Sequence, residues 1–458
     1  MNRRSFVRGS GAGLISAFAY SHSPRARVLG ANQRIRCGFI GVGGMGRANL
    51  RDFLKCENAD VVAVCDVWQP YLDRAVEISS GKPAAYSDFR RVLDRKDIDV
   101  AIISTPDHWH GYLTIEACKA GKDVYVEKPL AHNIYEGRKM VESARKHSRV
   151  VQCGTQQRSG RHYHEVVEFI RSGKLGKVSR VVAWNYQNES PFGMGDFPDC
   201  ETPPGLDYNL WLGPAPKKPF NPNRFIFNFR YFWDYAGGYA TDWGVHHIDI
   251  VQWAMNVQAP KKVSALGGKY YVQDNRETPD TLEVIYEYPT FLLTYSNRLL
   301  NASPIHNRSW GIAFYGTDAT LVVDRSGYDV LPETRGTFEK MEPFYKRDLE
   351  AAKAGKSPNP WGSERDVWLG RTATVRGESG PEMHLAHVRN FLDCVANRKQ
   401  PASDVETTHY STATTHLANI SYQTGRTIRW DSQHEQILDD VEASKLLRRD
   451  NRDPWVVV

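Results

Sequence analysis

No stretch of this 458-residue chain offers about 18 consecutive apolar side chains, so no segment reads as a membrane-spanning helix. Cysteine is sparse and unpatterned. The seven residues, Cys37, Cys56, Cys65, Cys118, Cys153, Cys200 and Cys394, show no CxxC pair and no metal-ligand spacing, which argues against a zinc or iron–sulfur module. Most of them sit in apolar runs, as small buried hydrophobes do. Strong charge of one sign is also missing. A formal surplus of +6, spread without a basic run, gives no support for nucleic-acid binding.

What is present is enough apolar material for two folded domains with extensions, at 41% of residues. Aromatic side chains are plentiful, with 12 Trp and 22 Tyr, and flat faces with polar edges suit sugar rings as well as cores. The first residues, MNRRSFVRGSGAGLISAFAY, set Arg3 and Arg4 before Ser5 and Phe6, then a weakly apolar run and a small-residue site at Ala17 to Ala19. This resembles a twin-arginine export signal, with a plain basic tail as the alternative. Residues 1–33 are therefore expected to be signal and linker, and the mature protein periplasmic or otherwise extracytoplasmic. Cleavage after Ala19 would remove Arg3, Arg4 and Arg8 and lower the charge from +6 to +3.

From residue 34 to 152, strand-like runs (IRCGFI, VVAVCDV, DVAIIS, DVYVEKP, RVVQCG) alternate with helix-like segments near 44–55, 69–79, 87–95, 110–120 and 133–147. That alternation predicts parallel strands with crossover helices. The first run leads into Gly41-Val42-Gly43-Gly44-Met45-Gly46, a G-x-G-x-x-G turn between strand and helix. Its glycines allow a tight turn, close approach of backbone N–H groups to a diphosphate and close helix packing. Asp66 closes the second strand twenty residues after Gly46, where a carboxylate serves a free ribose hydroxyl pair and repels a 2′-phosphate. NAD is expected over NADP. Arg74, in the next helix, is within reach of a 2′-phosphate in one reading and part of a solvated face in the other, which is the commoner role.

Two further motifs are Thr105-Pro106-Asp107-His108-Trp109-His110 after the third strand-like run, and Glu127-Lys128-Pro129 after DVYV. With this spacing the chain resembles the glucose-fructose oxidoreductase and inositol dehydrogenase (Gfo/Idh/MocA) family, in which a TPxxxH turn and an EKP turn flank the nicotinamide. The resemblance implies that Thr105, Pro106, His110, Glu127 and Lys128 belong to the cofactor site, and that Pro129 is cis with Lys128 reaching the substrate hydroxyl. A homodimer or homotetramer is expected. The fold the resemblance implies is α/β: a doubly wound parallel Rossmann sheet, then an α+β domain with a large, mostly antiparallel open sheet.

The segment from Gly237 to Asp249 is similar to the family's GGxxxDxGxHxxD stretch. Asp242, His246 and Asp249, spaced four and three apart, share one helical face. A carboxylate one turn from an imidazole can orient the ring and stabilise its protonated form, which suits a general base. Asp242 as a helix cap, or a metal held by Asp and His, are the other readings, and the implied chemistry requires no metal. His247 faces elsewhere and reads as structural. Arg158, in GTQQRSG, is a candidate for substrate contact or a salt bridge. The aromatic and Pro-rich stretch from Trp184 to Tyr235 suggests a functional loop or lid, with Trp233 and Tyr235 as sugar-stacking candidates. Runs at 262–272, 280–288, 291–300 and 310–324 predict the antiparallel sheet of a domain spanning 153–432. Residues 327–380 read as an insertion and 433–458 as a tail, with two closing helices, HLAHVRNFLDCVANRKQP and THLANISYQTGR, between them.

The expected function is hydride transfer between NAD and a hydroxyl-bearing carbon of a sugar, cyclitol or glycoside, with tightly held cofactor. His246 takes the hydroxyl proton, and Lys128 polarises that oxygen. A redox-neutral, NAD-dependent glycosidase or lyase working through a transient keto-sugar is the alternative, and a non-catalytic sugar-binding protein the third reading.

Overall fold

A computed structural model describes residues 34–333, 344–355, 375–380 and 382–457. The segment expected to be an export signal, Arg3 and Arg4 included, lies outside the described residues.

The apolar runs of the first half become six parallel strands: β1 (Ile35–Ile40), β2 (Ala59–Cys65), β3 (Ala84–Tyr86), β4 (Val100–Ile103), β5 (Asp123–Val126) and β6 (Val151–Cys153). Their order is β3-β2-β1-β4-β5-β6. β4, β5 and β6 are buried along their whole length, which is why they read as continuous apolar runs rather than alternations. Helices α1 (Gly44–Leu54), α2 (Gln69–Ile78), α3 (Arg90–Leu93), α4 (His110–Lys119) and α5 (Ile134–Lys146) cross between them. The strand order reverses between β1 and β4, so the loops leaving their carboxyl ends diverge and leave a crevice, the ordinary ligand position in such sheets.

The second half opens with α6 (Arg161–Arg171) and β7 (Arg180–Tyr186), then α7 (Tyr208–Leu212), α8 (Gly238–Asp242) and α9 (Gly244–Met255). The strands β8 (Lys262–Gly268), β9 (Thr281–Glu287), β10 (Leu292–Arg298), β11 (Trp310–Tyr315), β12 (Ala319–Asp324) and β13 (Gly327–Pro332) follow. Helix α10 (Phe344–Lys353), strand β14 (Val375–Glu378), helices α11 (Met383–Asn397) and α12 (Val405–Thr424), strands β15 (Ile428–Asp431) and β16 (Gln436–Ile437), and helix α13 (Val441–Lys445) complete the order. The sheet runs β14-β13-β12-β11-β7-β10-β9-β8-β15-β16. Its pairs are antiparallel except β7 with β10. In β9, Leu282, Val284 and Tyr286 are buried while Glu283 and Ile285 face out. The inward side chains pack with Val166, Ile248, Val251 and Leu417 of α6, α9 and α12.

Three expectations change. The supposed insertion at 327–380 begins and ends as sheet, with β13 on β12 and β14 on β13; residues 334–343 and 356–374 are outside the description. The 433–458 tail is a packed strap: Trp455 lies among Phe89, Trp109 and Tyr112, with ring centroids 5.1–5.8 Å away, and Arg449 donates to Glu136 at 2.8 Å and to the His108 carbonyl at 2.6 Å. A segment as polar as RRDNRDPW reads as solvated, because its one anchor is a single aromatic side chain. Finally, α11 returns to the first domain. Its Leu385, Val388, Phe391 and Leu392 share a core with Phe53 and Tyr125, so the Rossmann unit is not contiguous in sequence.

Phe391 is fully buried, with its ring 5.7 Å from Tyr125 and 6.3 Å from Phe53. Phe391→Ala is expected to lower the unfolding free energy in urea by about 3–5 kcal/mol. A loss under about 1 kcal/mol would mean that α11 is not part of that core.

Candidate active site

The turn after β1 is built by crowding. Gly41 has φ +84°, and a Cβ there would lie 2.7 Å from the Ser104 carbonyl carbon; at Gly46 it would lie 2.2 Å from the Gly41 oxygen. Gly46 therefore serves close packing of α1 against the turn, not the cavity wall. Gly43 and Gly44 are different. A Cβ on Gly44 meets nothing within 4 Å, and one on Gly43 meets only Tyr71. Gly41, Gly43, Gly44 and Met45 all line a cavity of about 670 Å³. No side chain caps α1, so its first N–H groups are left for a ligand, and a diphosphate fits there.

Asp66, just past β2, lines the same cavity. Its two oxygens accept from the Val42 amide at 2.8 Å and the Trp68 amide at 3.0 Å, which fixes the carboxylate and leaves lone pairs for a ribose diol. Burial pushes this carboxyl up to about 6, against those amide bonds.

At the other end stand the turns after β4 and β5. Thr105, Pro106, Glu127 and Lys128 line the cavity, and the Lys128–Pro129 peptide is cis. Glu127 accepts from Asn49 of α1 at 2.9 Å and Gln156 at 3.3 Å. His110, expected in the cofactor site, is instead a staple. Its ring lies between the Thr105 carbonyl at 2.9 Å and the Pro129 carbonyl at 2.7 Å, off the cavity, tying the two turns together.

Lys128 Nζ crosses to the second domain and donates to Asp242 Oδ1 at 2.5 Å and to the Asp242 carbonyl at 3.2 Å. Arg230 stands 3.5 Å from the second carboxylate oxygen. Burial works to raise the Asp242 carboxyl, yet Arg230 and Lys128 hold it below the usual range. This corrects the expected Asp242–His246 pairing, because the carboxylate is held by the two cations and makes no hydrogen bond to the imidazole. The capping reading fails as well: Trp243 occupies the cap position of α9 and no side chain bonds there. His246 lines the cavity with Nδ1 sealed and unpartnered, which leaves Nε2 as the nitrogen open to a ligand. Burial, with Arg325 and Lys128 nearby, lowers its basicity well below the ordinary histidine range, so the ring is neutral.

Three proposed substrate contacts are elsewhere. Arg158 is buried against Asp249 at 2.7 Å, so Asp249 also leaves the expected catalytic face. Tyr235 is fully buried between His108 and Trp211, 5.3 and 4.9 Å away by ring centroids. Trp233 packs on Tyr422 at 6.3 Å. The aromatic stretch does reach the cavity, but through Trp211, Phe225, Phe227 and Phe229. Sequence reasoning missed Arg230, Asp107, Arg325 and His384. Arg230 lay inside the flagged stretch, and Asp107 inside the TPxxxH turn, whereas nothing local distinguishes Arg325 or His384. Asp107 is buried, and burial pushes its carboxyl up to about 7 against the pull of Lys128.

Comparison with known proteins follows the same division. The model of the Gfo/Idh/MocA oxidoreductase family's NAD-binding Rossmann fold matches residues 35–155, and that of its C-terminal alpha/beta domain matches 161–288 and 378–457. Glycosyl hydrolase family 109 protein 1 of Shewanella sp. (strain ANA-3) is 33% identical over 203 residues, 39% of this chain and 44% of that protein, so the match spans under half of that relative. A glycosyl hydrolase family 109 protein of Shewanella putrefaciens is 32% identical over 457 residues, 92% of each chain. Among solved structures, the WlbA dehydrogenase from Bordetella pertussis, in complex with NADH and UDP-GlcNAcA, superposes with a TM-score of 0.61 at 17% identity, covering 87% of this chain and 99% of its own. That likeness is one of fold.

Asp107 generates a pH test. Below about pH 3.8 its carboxyl is protonated in folded and unfolded chains alike, and its stabilising contribution is full; between there and about 7 only the native state keeps the proton, so stability falls as pH rises and is lost above 7. Asp107→Asn should therefore be more stable than the parent at pH 8.5, on the order of a few kcal/mol, with the gap closing toward pH 4. Denaturation curves without added nucleotide at the two pH values measure this. No gain at pH 8.5 would show that Lys128 fully compensates the ionised carboxylate.

Proposed function

The chain belongs to the Gfo/Idh/MocA oxidoreductase family, and on that footing we propose that it oxidises a hydroxyl-bearing carbon of a sugar, cyclitol or glycoside by hydride transfer to tightly held NAD. The observation that carries this reading is a single cavity running from Gly43, Gly44 and Asp66 to Lys128, Asp242 and His246. Gly41, Gly43, Gly44, Met45 and Asp66 would hold the NAD diphosphate and adenosine ribose, and Glu127 with the Thr105–Pro106 turn the nicotinamide half. Bound NAD supplies the hydride acceptor.

The protein's own groups handle the proton. Lys128, fixed by Asp242 through two of its three N–H groups, has one donor left to grip a substrate oxygen and stabilise charge as its proton departs. Neutral His246, with Nε2 open to the cavity, can accept that proton. Trp211, Phe227 and Phe229 give the apolar faces of a sugar ring something to lie against and keep water out. The carboxylate of Asp242 places the lysine, not the imidazole.

A second reading has a specific observation behind it: the relative matching over 92% of both chains is a glycosyl hydrolase family 109 protein. In that reading the same oxidation is transient. A keto group acidifies the neighbouring C–H; loss of that proton expels the aglycone, which leaves protonated, and the resulting double bond either takes up water, as in a glycosidase, or is kept, as in a lyase, before return of the hydride to the keto carbon leaves no net redox change. The Arg3–Arg4 segment fits either reading as a twin-arginine signal that exports the protein already folded around its cofactor.

His246→Ala and Lys128→Ala are each expected to lower kcat/KM on the best sugar of a panel by roughly 10² to 10⁴-fold, with the nucleotide retained. Activity within a few-fold of the parent would remove that residue from the proton path. Loss of nucleotide would make the role cofactor placement. In the parent, reduced nicotinamide accumulating without bond cleavage supports the dehydrogenase, and a released aglycone with unchanged cofactor supports the second reading.

A further inference from the structure

Lys128, Arg230 and Arg325 are the lysine and arginines whose side chains line the cavity among the described residues. The first two share the Asp242 carboxylate. Arg325 does not: among the described residues no carboxylate lies within ion-pair distance of its guanidinium. It follows directly on β12 and is partly buried, its guanidinium carbon 4.9 Å from the Trp243 ring and 5.8 Å from the Trp310 ring. Its Nε is sealed from solvent with no acceptor. Aromatic faces offset part of the cost of removing a cation from water, but they accept none of its in-plane N–H bonds. His384, in the first turn of α11, lines the same corner beside His246 and brings no negative charge.

A guanidinium cannot shed its charge, and among the described residues the carboxylate that attracts Arg325 is Asp242, already bound by Lys128 and facing Arg230, so an anion that arrives with the ligand would match the partly desolvated guanidinium. The cofactor diphosphate has its own seat on the glycine turn of the parallel sheet, whereas Arg325 belongs to the large sheet and adjoins Trp243 and His246 at the substrate end. We propose that Arg325 is an anion-recognition group of the substrate subsite, and that the preferred substrate is an acidic sugar, carrying a carboxylate or sulfate ester that the guanidinium fork binds while a ring hydroxyl reaches Lys128 and His246. The proposal rests on the reading of this cavity as a sugar site. Two sources of the anion share one chemistry: a uronate carboxylate and a sulfated sugar both offer oxygens to a bidentate fork.

Binding is measured on the nucleotide-loaded protein by calorimetry, which requires no turnover. The probes are glucuronate and galacturonate, glucose 6-sulfate and galactose 6-sulfate, against glucose and galactose. At least one acidic probe should bind about tenfold or more tightly than its neutral counterpart; carboxylate against sulfate identifies the source. Arg325→Gln should abolish that preference while retaining NAD, and Arg325→Lys, which keeps the charge without the fork, should keep part of it. The proposal is overturned if every neutral sugar binds as tightly as its acidic counterpart, if the preference survives in Arg325→Gln, or if that variant loses NAD. If Arg325→Gln fails to fold, the comparison of acidic with neutral sugars in the parent and in Arg325→Lys still decides. Neutral sugars that bind and are oxidised equally well would sink this inference alone, whereas no binding by any sugar would sink the sugar-site reading with it.

Discussion

Lys128 comes from a turn of the parallel sheet and Asp242 from the end of a helix under the large sheet, and the two charges meet at 2.5 Å with 18% and 11% of their side chains exposed. A buried pair of this kind adds little net stability over apolar packing, but either member left alone would be a desolvated charge, which costs several kcal/mol. The two domains are therefore constrained to the arrangement in which this bond forms. Everything chemical in the cavity follows from that: the lysine is aimed, the carboxylate is spent on it and on Arg230, and His246 is left neutral with an open nitrogen. The contacts that enforce the arrangement are apolar and distant. Phe391 enters the first domain's core from the second half of the chain, and Trp455 closes over Phe89 and Trp109.

Much of the fold was legible because its signals are local. The glycine turn, the strand before it and Asp66 after it all reside within some thirty residues, and each demands a residue type for steric or hydrogen-bonding reasons that a sequence displays directly. Helix boundaries at 44–54, 69–78 and 134–146 lie within two residues of those read from periodicity, Asn133 capping the last through the Glu136 amide. Lys128, Asp242 and His246 were recognisable as motif members, and the cavity brings all three together.

What escaped depends on partners far apart in sequence. Spacing puts Asp242 and His246 on one helical face, but only the fold shows Lys128 and Arg230 taking the carboxylate first. Trp233 and Tyr235 had the right chemistry for a sugar platform and the wrong direction; burial of Tyr235 between His108 and Trp211 is invisible in a linear reading. Arg158 reads equally as a substrate contact or a surface salt bridge, and the fold shows the salt bridge, buried rather than at the surface, with Asp249 2.7 Å away. His110 belongs to the family-like turn yet serves it structurally, by holding two carbonyls together.

The central claim is that Lys128 and Asp242 act as one unit spanning the domains, and a double-mutant cycle on unfolding free energy tests it most directly, since it needs no substrate. Lys128→Met and Asp242→Asn are measured singly and together by urea denaturation, with nucleotide content checked in each. The account predicts that the double variant is far less destabilised than the sum of the singles, with a coupling of about 2–3 kcal/mol, because Asp242→Asn strands the Lys128 charge that the second substitution removes, while Lys128→Met leaves Asp242 with Arg230 alone. Losses that add to within about 0.5 kcal/mol would show the two residues to be independent and would contradict it.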